Sequence, residues 1–374
     1  MRELHDLADV LERVRRTGSL DDVVVQGVDL SAHGDVVASA SCRGATFLGC
    51  RLRGEALAHV QGSGGVVFPA FDDLPFDPYR SRLYARGELL AGWVPGDGSS
   101  FDELALDSRI HAWSATSPPG VNPPLLDALA RRLHDHAIDD ALAEHLADRP
   151  HVVAVMGGHA VIRTDEAYRT VAELGRSMAR EGWYVATGGG PGAMEAANLG
   201  AWLAGEADGA LDEALSLLGA EVDFRRADPY LRAGRAVLDR FPDGGASLAV
   251  PTWFYGHEPT NQFATSIAKY FANSIREDGL LALATRGVVF APGAAGTVQE
   301  VFQDATQNHY DVFGVISPMV FLDARFWRAT LPAEPLLRTL AGDRPYAALI
   351  GVADGAEEAM AFLREHPPRW RDVT

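Results

Sequence analysis

Lysine is nearly missing from this chain: Lys269 is the single one among 374 residues, and every other strong base is arginine. That scarcity excludes a G-x-x-x-x-G-K phosphate loop and leaves one candidate for Schiff-base chemistry. Anion recognition then falls to arginine forks and backbone N–H groups. Positive charge as a whole is short, with 33 basic residues against 51 acidic ones and a formal net charge of −18. Such a charge repels long nucleic acids and anionic membrane surfaces, and leaves room only for a local positive site that takes one small phosphorylated molecule. Cysteine is limited to Cys42 and Cys50, too few for a metal knuckle or a disulfide framework. They read as free buried thiols in a reducing cytosol. No apolar run approaches the roughly 18 residues of a membrane helix, and Met1–Arg16 alternates charge with Leu and Val rather than forming a signal-peptide core. The expectation is a soluble cytoplasmic protein. At 47% apolar and 22% charged residues the composition is globular, and the length suggests two to three domains.

Residues 1–120 are expected to form a small β-rich module without evident chemistry. An opening helix (Leu4, Leu7, Val10, Leu11, Val14) precedes short β-like pieces at 23–25, 36–38, 45–48 and 66–68, punctuated by glycine. The phrases GVDL and GATFLGCRL faintly resemble a pentapeptide-type β-solenoid. Residues 121–148 read as the end of a proline-rich linker, SPPGVNPP, followed by a helix from Leu125 to about Ala147. From 149 to 374 apolar strands alternate with helices. Strands are expected at 152–156, 183–187, 248–255, 288–291, 319–322 and 348–352, with helices at 166–181, from 193, at 261–276, 298–308 and 355–365. This alternation predicts an α/β, Rossmann-like doubly wound parallel sheet, interrupted by a helical insertion at 206–245.

In such a sheet the ligand site lies beyond the carboxyl ends of the strands. Three glycine loops fall there: Gly157-Gly158-His159, Gly188-Gly189-Gly190-Pro191-Gly192 and Pro292-Gly293-Ala294-Ala295-Gly296-Thr297. Glycine lets an anion approach the backbone, and a following helix N-terminus adds partial positive charge. No loop carries the G-x-G-x-x-G dinucleotide fingerprint with its downstream acid. Thr297-Val298-Gln299-Glu300 has two readings: a capping box, or a carboxylate held at the lip of an anion-binding loop. Arg276, at the end of the expected helix before this loop, is the natural cation beside it. His257-Glu258 could cap the next helix or approach a ligand. His134-Asp135-His136 reads as a solvated helix face, because the two histidines point about 200° apart on a helix and cannot share an ion. Arg225, Arg226, Arg232, Arg235 and Arg240 read as a salt-bridged surface, with an allosteric phosphate site or a subunit contact as the alternatives.

The set GGGPGAMEAANLGA, the Arg276 segment and PGAAGTVQE resembles the LOG ("Lonely Guy") family of nucleoside 5′-monophosphate phosphoribohydrolases. The family pattern PGGxGTxxE falls on Pro292, Gly293, Ala294, Gly296, Thr297 and Glu300, and GGGxxGxM on Gly188, Gly189, Gly190, Gly192 and Met194. The long chain, with its extra N-terminal module, is similar to the bacterial pyrimidine/purine nucleotide 5′-monophosphate nucleosidases. Two departures stand out: Ala294 replaces a glycine, and Glu277 replaces a lysine beside the arginine. The resemblance implies hydrolysis of an N-glycosidic bond, releasing base and ribose 5-phosphate, with Arg276 and Glu300 as catalytic residues. Glu300 would stabilise an oxocarbenium-like sugar and activate water, while Gly293, Gly296 and Thr297 anchor the phosphate. Gly189, Gly190, Gly192 and Met194 would line the sugar or phosphate, and Gly158 and His159 would close the pocket. No metal or other cofactor is called for. The alternative is a non-catalytic nucleotide or molybdenum-cofactor carrier on the same fold. The expected helix 261–276 presents Phe263, Ile267, Tyr270 and Phe271, from which a homodimer or higher homo-oligomer is expected.

Overall fold

The computed structural model describes residues 2–116 and 123–371; most of the proline-rich stretch at 117–124 lies outside the described residues. The chain divides into two compact units, one of residues 1–83 and 116–144, the other of 84–115 and 145–374. Sequence reading placed the boundary near 120. The division differs because residues 84–115 make their contacts with the second unit.

The first unit begins with β1 (Arg2–Leu4), α1 (Leu7–Thr17), β2 (Val23–Gln26), α2 (Gly34–Ser39), β3 (Thr46–Cys50), α3 (Gly54–Gly62) and β4 (Val66–Pro69). The strands form one parallel sheet in chain order, with partners 21, 22 and 20 residues apart at Arg2↔Val23, Val24↔Thr46 and Thr46↔Val66. The expected small N-terminal module is thus a four-stranded parallel sheet whose strands are linked by helices. Residues 36–38, expected as strand, lie inside α2, because parallel neighbours need a crossover and a helix supplies it. Val10, Leu20, Val23, Val25, Leu30, Phe47 and Val60 fill its core together with Cys42 and Cys50. Both cysteines are free thiols, and burial pushes each up to about 11.

The second unit continues with α4 (Arg86–Leu89), α5 (Ser100–Leu104) and α6 (Leu106–Ser114); helix α7 (Leu125–Leu146) follows in the chain. Then come β5 (Val152–Met156), α8 (Glu166–Arg180), β6 (Tyr184–Thr187), α9 (Ala193–Trp202), α10 (Ala210–Leu218), α11 (Ala227–Arg240), β7 (Leu248–Ala249), β8 (Ser266–Ile267), α12 (Asn273–Leu283), β9 (Gly287–Phe290), α13 (Ala295–Tyr310), β10 (Val315–Ile316), β11 (Met319–Leu322), α14 (Ala333–Ala341), β12 (Ile350–Ala353), α15 (Ala356–Glu365) and β13 (Arg369–Trp370). Seven strands form a parallel sheet in the order β12-β11-β9-β5-β6-β7-β8. This is the doubly wound α/β architecture expected, and α10 and α11 are the expected helical insertion.

Strands covered on both faces read as unbroken apolar runs, and β5 is buried at all five positions. Val153 and Val155 join one core with Tyr168, Val171, Leu174 and Met178 of α8 and the small residues of α9. Small side chains are required there, since a Cβ on Gly200 would stand 1.9 Å from the Ala172 carbonyl oxygen. Elsewhere in the unit Phe290 and Phe321 stack at 5.4 Å, and Phe321 meets Trp327 edge-on.

The expected helix at 261–276 does not form. Its 4- and 3-residue spacings mimic a helix, but each side chain is buried by a different neighbour in extended backbone. Ile267 pairs with Ala249 of β7 and bridges Tyr84, Tyr270 bridges Thr252, and Phe271 packs on Trp253 at 4.7 Å. Phe263, Ile267, Tyr270 and Phe271 are therefore core residues of their own unit. The apolar helix face from which a homodimer was expected is absent.

Candidate active site

β5 and β9 are neighbours in the middle of the sheet, and the chain leaves them in opposite directions, toward β6 and toward β11. Such a switch point opens a crevice beyond the strand ends. A cavity of about 760 Å³ lies there, within the range of small-molecule sites. Gly157 to His159, Gly188 to Gly190 and Pro292 to Thr297 line it, together with Met194, Arg276 and Glu300, whereas Gly192, expected to line the sugar or phosphate, lines a smaller cavity with His159 and Arg225. The loops interlock through backbone. The Gly158 N–H donates to the Pro292 carbonyl at 2.9 Å, and the Ala193 N–H to the Gly158 carbonyl at 3.3 Å. A Cβ on Gly192, whose φ is +73°, would stand 2.5 Å from the Gly158 oxygen, so only glycine fits. Gly293 packs on Thr297, while Gly296 faces open space. Helices α9 and α13 start at Gly192 and Ala294 without a side-chain cap; the first N–H of α9 is taken by Gly158, whereas the first turn of α13 lines the cavity and leaves its N–H groups for a ligand.

The capping-box reading of Thr297–Glu300 is not realised. Helix α13 begins at Ala295, so Thr297 sits in its first turn and Glu300 lies a turn further on. Ala294 has φ −113°, outside the positive-φ region that favours glycine. Arg276 lies in the first turn of α12, not at the C-terminal end of a helix. Its guanidinium donates to Glu300 at 3.3 Å, to Glu277 at 2.9 Å and to Asn273 at 2.8 and 3.2 Å. Gln299 donates to the second oxygen of Glu277 at 2.5 Å. Two buried carboxylates thus share one arginine. Burial pushes Glu300 up to about 7; Arg276 opposes the rise and Glu277 adds to it. A carboxyl near neutrality can accept or donate a proton at cellular pH.

Of the pair His257-Glu258, only Glu258 reaches the cavity. Glu258 lines the cavity and pairs with His159 Nδ1 at 3.3 Å; no helix follows it to be capped. Burial raises the Glu258 carboxyl, against the attraction of His159 and Lys269. His257 turns the other way, its ring stacked on Phe101 at 5.0 Å and His111 at 4.9 Å, and its Nε2 is 2.6 Å from Ser108 Oγ. Burial pushes it down to about 4. Lys269 is buried against Asp107 at 2.7 and 3.0 Å, where Trp253 and Thr260 also donate. Asp107 belongs to the segment 84–115, in which sequence reading found no chemistry. Burial works to raise its carboxyl, but Lys269, His257 and the hydrogen bonds hold it below the usual range.

The remaining candidates fall outside the site. His134 and Asp135 are not a solvated face: both are buried, 3.3 Å apart, with the imidazole edge-on to Phe76. His136 is the exposed member, beside Asp140 at 3.5 Å. The five arginines of the insertion each pair with a carboxylate: Arg225 with Asp223, Arg226 with Glu221, Arg232 with Asp228, Arg235 with Asp239 and Arg240 with Glu213. Among the described residues no group of three His, Cys, Asp or Glu is placed to hold a metal, and no helix is long and apolar enough to cross a membrane.

Residues 150–210 match the model of the LDcluster4, or SLOG cluster4, family. The match spans β5 to α9 with the first two glycine loops. No curated protein matches the chain. Among solved structures, the chain is similar to the molybdenum cofactor binding protein of the phototrophic bacterium Rippkaea orientalis, with 17% identity, 58% of this chain and 97% of that one covered, and a TM-score of 0.37. It is also similar to the molybdenum cofactor carrier protein of Chlamydomonas reinhardtii, with 20% identity, 58% and 98% coverage, and a TM-score of 0.36.

Proposed function

We propose that the cavity binds a nucleoside 5′-monophosphate and hydrolyses its N-glycosidic bond. The observation that carries this reading is the buried Arg276–Glu300 pair in the same cavity as the uncapped N-terminus of α13. The phosphate would sit on the N–H groups around Gly293, Gly296 and Thr297. Gly188–Gly190 and Met194 would form the floor under the sugar, with Gly158 and His159 at its edge. Water adds to C1′ as the C1′–N bond breaks, and Glu300 takes the proton that water loses. The base leaves with the bonding electron pair and picks up a proton from solvent. Arg276 offsets the charge of Glu300 beside the phosphate, which would otherwise repel it. The chemistry uses groups of this chain and water alone.

One observation favours a second reading, a nucleotide or molybdenum-cofactor carrier: Arg276 is tied to Glu277 and Asn273 as well as Glu300, which restrains its movement onto a substrate. The glycine loops suit the phosphate of either ligand. Incubation with AMP, GMP, CMP, UMP and the matching nucleosides, with chromatography for free base, separates the two. The hydrolase should release base from at least one monophosphate, with kcat/KM about 100-fold or more above that of its nucleoside, since the phosphate anchor supplies binding energy to the reacting geometry. Equal rates for nucleoside and monophosphate would refute the anchor. A raised melting temperature without free base would establish the carrier.

A further inference from the structure

Resting on the nucleotide reading above, we propose that Glu258 reads the ribose hydroxyls of the bound molecule and makes the site selective for ribonucleotides over deoxyribonucleotides. An ionised carboxylate offers only acceptors, so whatever it recognises must present donors. One oxygen of Glu258 is held by His159 Nδ1 at 3.3 Å. The other, Oε2, stands over the glycine loop, 2.7 Å from the place a Cβ would occupy on Gly190. Pro251, Ala249, Ile267 and Met194 supply an apolar wall nearby. An acceptor in such surroundings gains most when a ligand brings the hydrogen bonds that the wall withholds.

The same loop fixes which part of the ligand meets this oxygen. Arg276 Nη1 lies 3.6 Å from the Cβ position of Gly188, and Met194 covers both glycines, its Sδ 2.8 Å from that position and its terminal methyl 2.7 Å from that of Gly190, so Arg276 and Glu258 stand at glycines two residues apart with the flexible Met194 side chain between them. Two residues span at most about 7 Å, close to the width of a furanose ring with its substituents. A sugar with C1′ at the Arg276–Glu300 end lays its 2′- and 3′-hydroxyls over Met194 toward Glu258. A vicinal diol gives the carboxylate two O–H donors, as the acidic residue of dinucleotide folds receives ribose hydroxyls. Like charge keeps the phosphate away from Glu258 and on the helix N-terminus at Gly296, so the carboxylate also sets the direction in which the nucleotide enters. An amino group on the base is the rival donor, and the test separates it.

Calorimetric titration with ribose 5-phosphate and 2-deoxyribose 5-phosphate examines this without requiring turnover. The unmodified protein should bind the ribose compound about 10- to 100-fold more tightly, the range for a hydrogen bond to a charged group. Glu258→Ala should bring the two within about twofold, and the near-isosteric Glu258→Gln, which keeps one acceptor oxygen, should fall between; thermal melts report that both variants fold. Base release from AMP and dAMP should show the same ordering. Selectivity retained in Glu258→Ala overturns the proposal. A variant that changes only the order of preference among bases also overturns it and assigns Glu258 to a base amino group. Glu258-dependent ribose selectivity in a protein that releases no base sustains the proposal and refutes the hydrolase. Failure of both sugar phosphates to bind refutes both readings.

Discussion

Replacing Glu300 by glutamine should make the protein more stable above neutral pH while abolishing base release. In the folded chain burial lifts this carboxyl from its ordinary 4.5 to about 7, even with Arg276 alongside. The folded state therefore binds the proton more tightly than the unfolded state. Stability associated with the neutral form is fully present below about 4.5 and is lost as pH climbs through 7. A rise of this size corresponds to about 3 kcal/mol at pH 8. Glutamine keeps the shape of the protonated acid and carries no charge to bury. Arg276 retains Glu277 and Asn273, so the substitution leaves no isolated cation. The variant should melt roughly 5–10 °C above the unmodified protein at pH 8 and within a degree or two of it at pH 4.5. Thermal unfolding of both proteins from pH 4.5 to 9, with the monophosphate assay run in parallel, measures this. A variant no more stable at pH 8, or a difference that does not change with pH, would refute the strained-carboxylate account. Unimpaired turnover would remove Glu300 from the chemistry.

Two further substitutions probe the loops and the wall. Gly190→Ala places its Cβ 2.7 Å from the ends of Glu258 and Met194, both movable side chains, so the fold should survive while ribose 5-phosphate affinity falls about tenfold or more. Gly192→Ala meets backbone at 2.5 Å with φ +73° and should cost about 2–3 kcal/mol in denaturant titration; equal behaviour of the two variants would contradict this distinction. Asp107→Ala strands Lys269 in a buried position and should cost about 3–5 kcal/mol, whereas pairing it with Lys269→Met should recover much of the loss. A double variant as unstable as the single one would show that Asp107 acts through Trp253 and Thr260 rather than through the ion pair.

Local signals in the sequence determined the alternation of apolar strands and helices from 152 onward, the three glycine loops at strand ends, and the pairing of Arg276 with Glu300 near one of them. The first two depend on chain geometry over a few residues (period, turn chemistry, and the need for glycine where backbones touch), whereas Arg276 and Glu300, 24 residues apart, are joined through the resemblance to the LOG pattern. Local signals failed where burial came from far away. Phe263, Ile267, Tyr270 and Phe271 have helical spacing, yet pairing with β7 and contact with Trp253 drew them into extended backbone. Residues 36–38 look like strand, but the parallel order of β1 to β4 required a helical crossover there. His134 and Asp135 carry the polar pattern of a surface, and tertiary packing buried them as a pair. His159 and Glu258 were named from their loops, but their pairing across 99 residues was not legible, and Asp107 had no motif to announce it, because its role depends on Lys269, 162 residues later in the chain. Periodicity is a property of adjacent residues and survives in the sequence, whereas the charge environment of a cavity is created only when distant segments exclude water together.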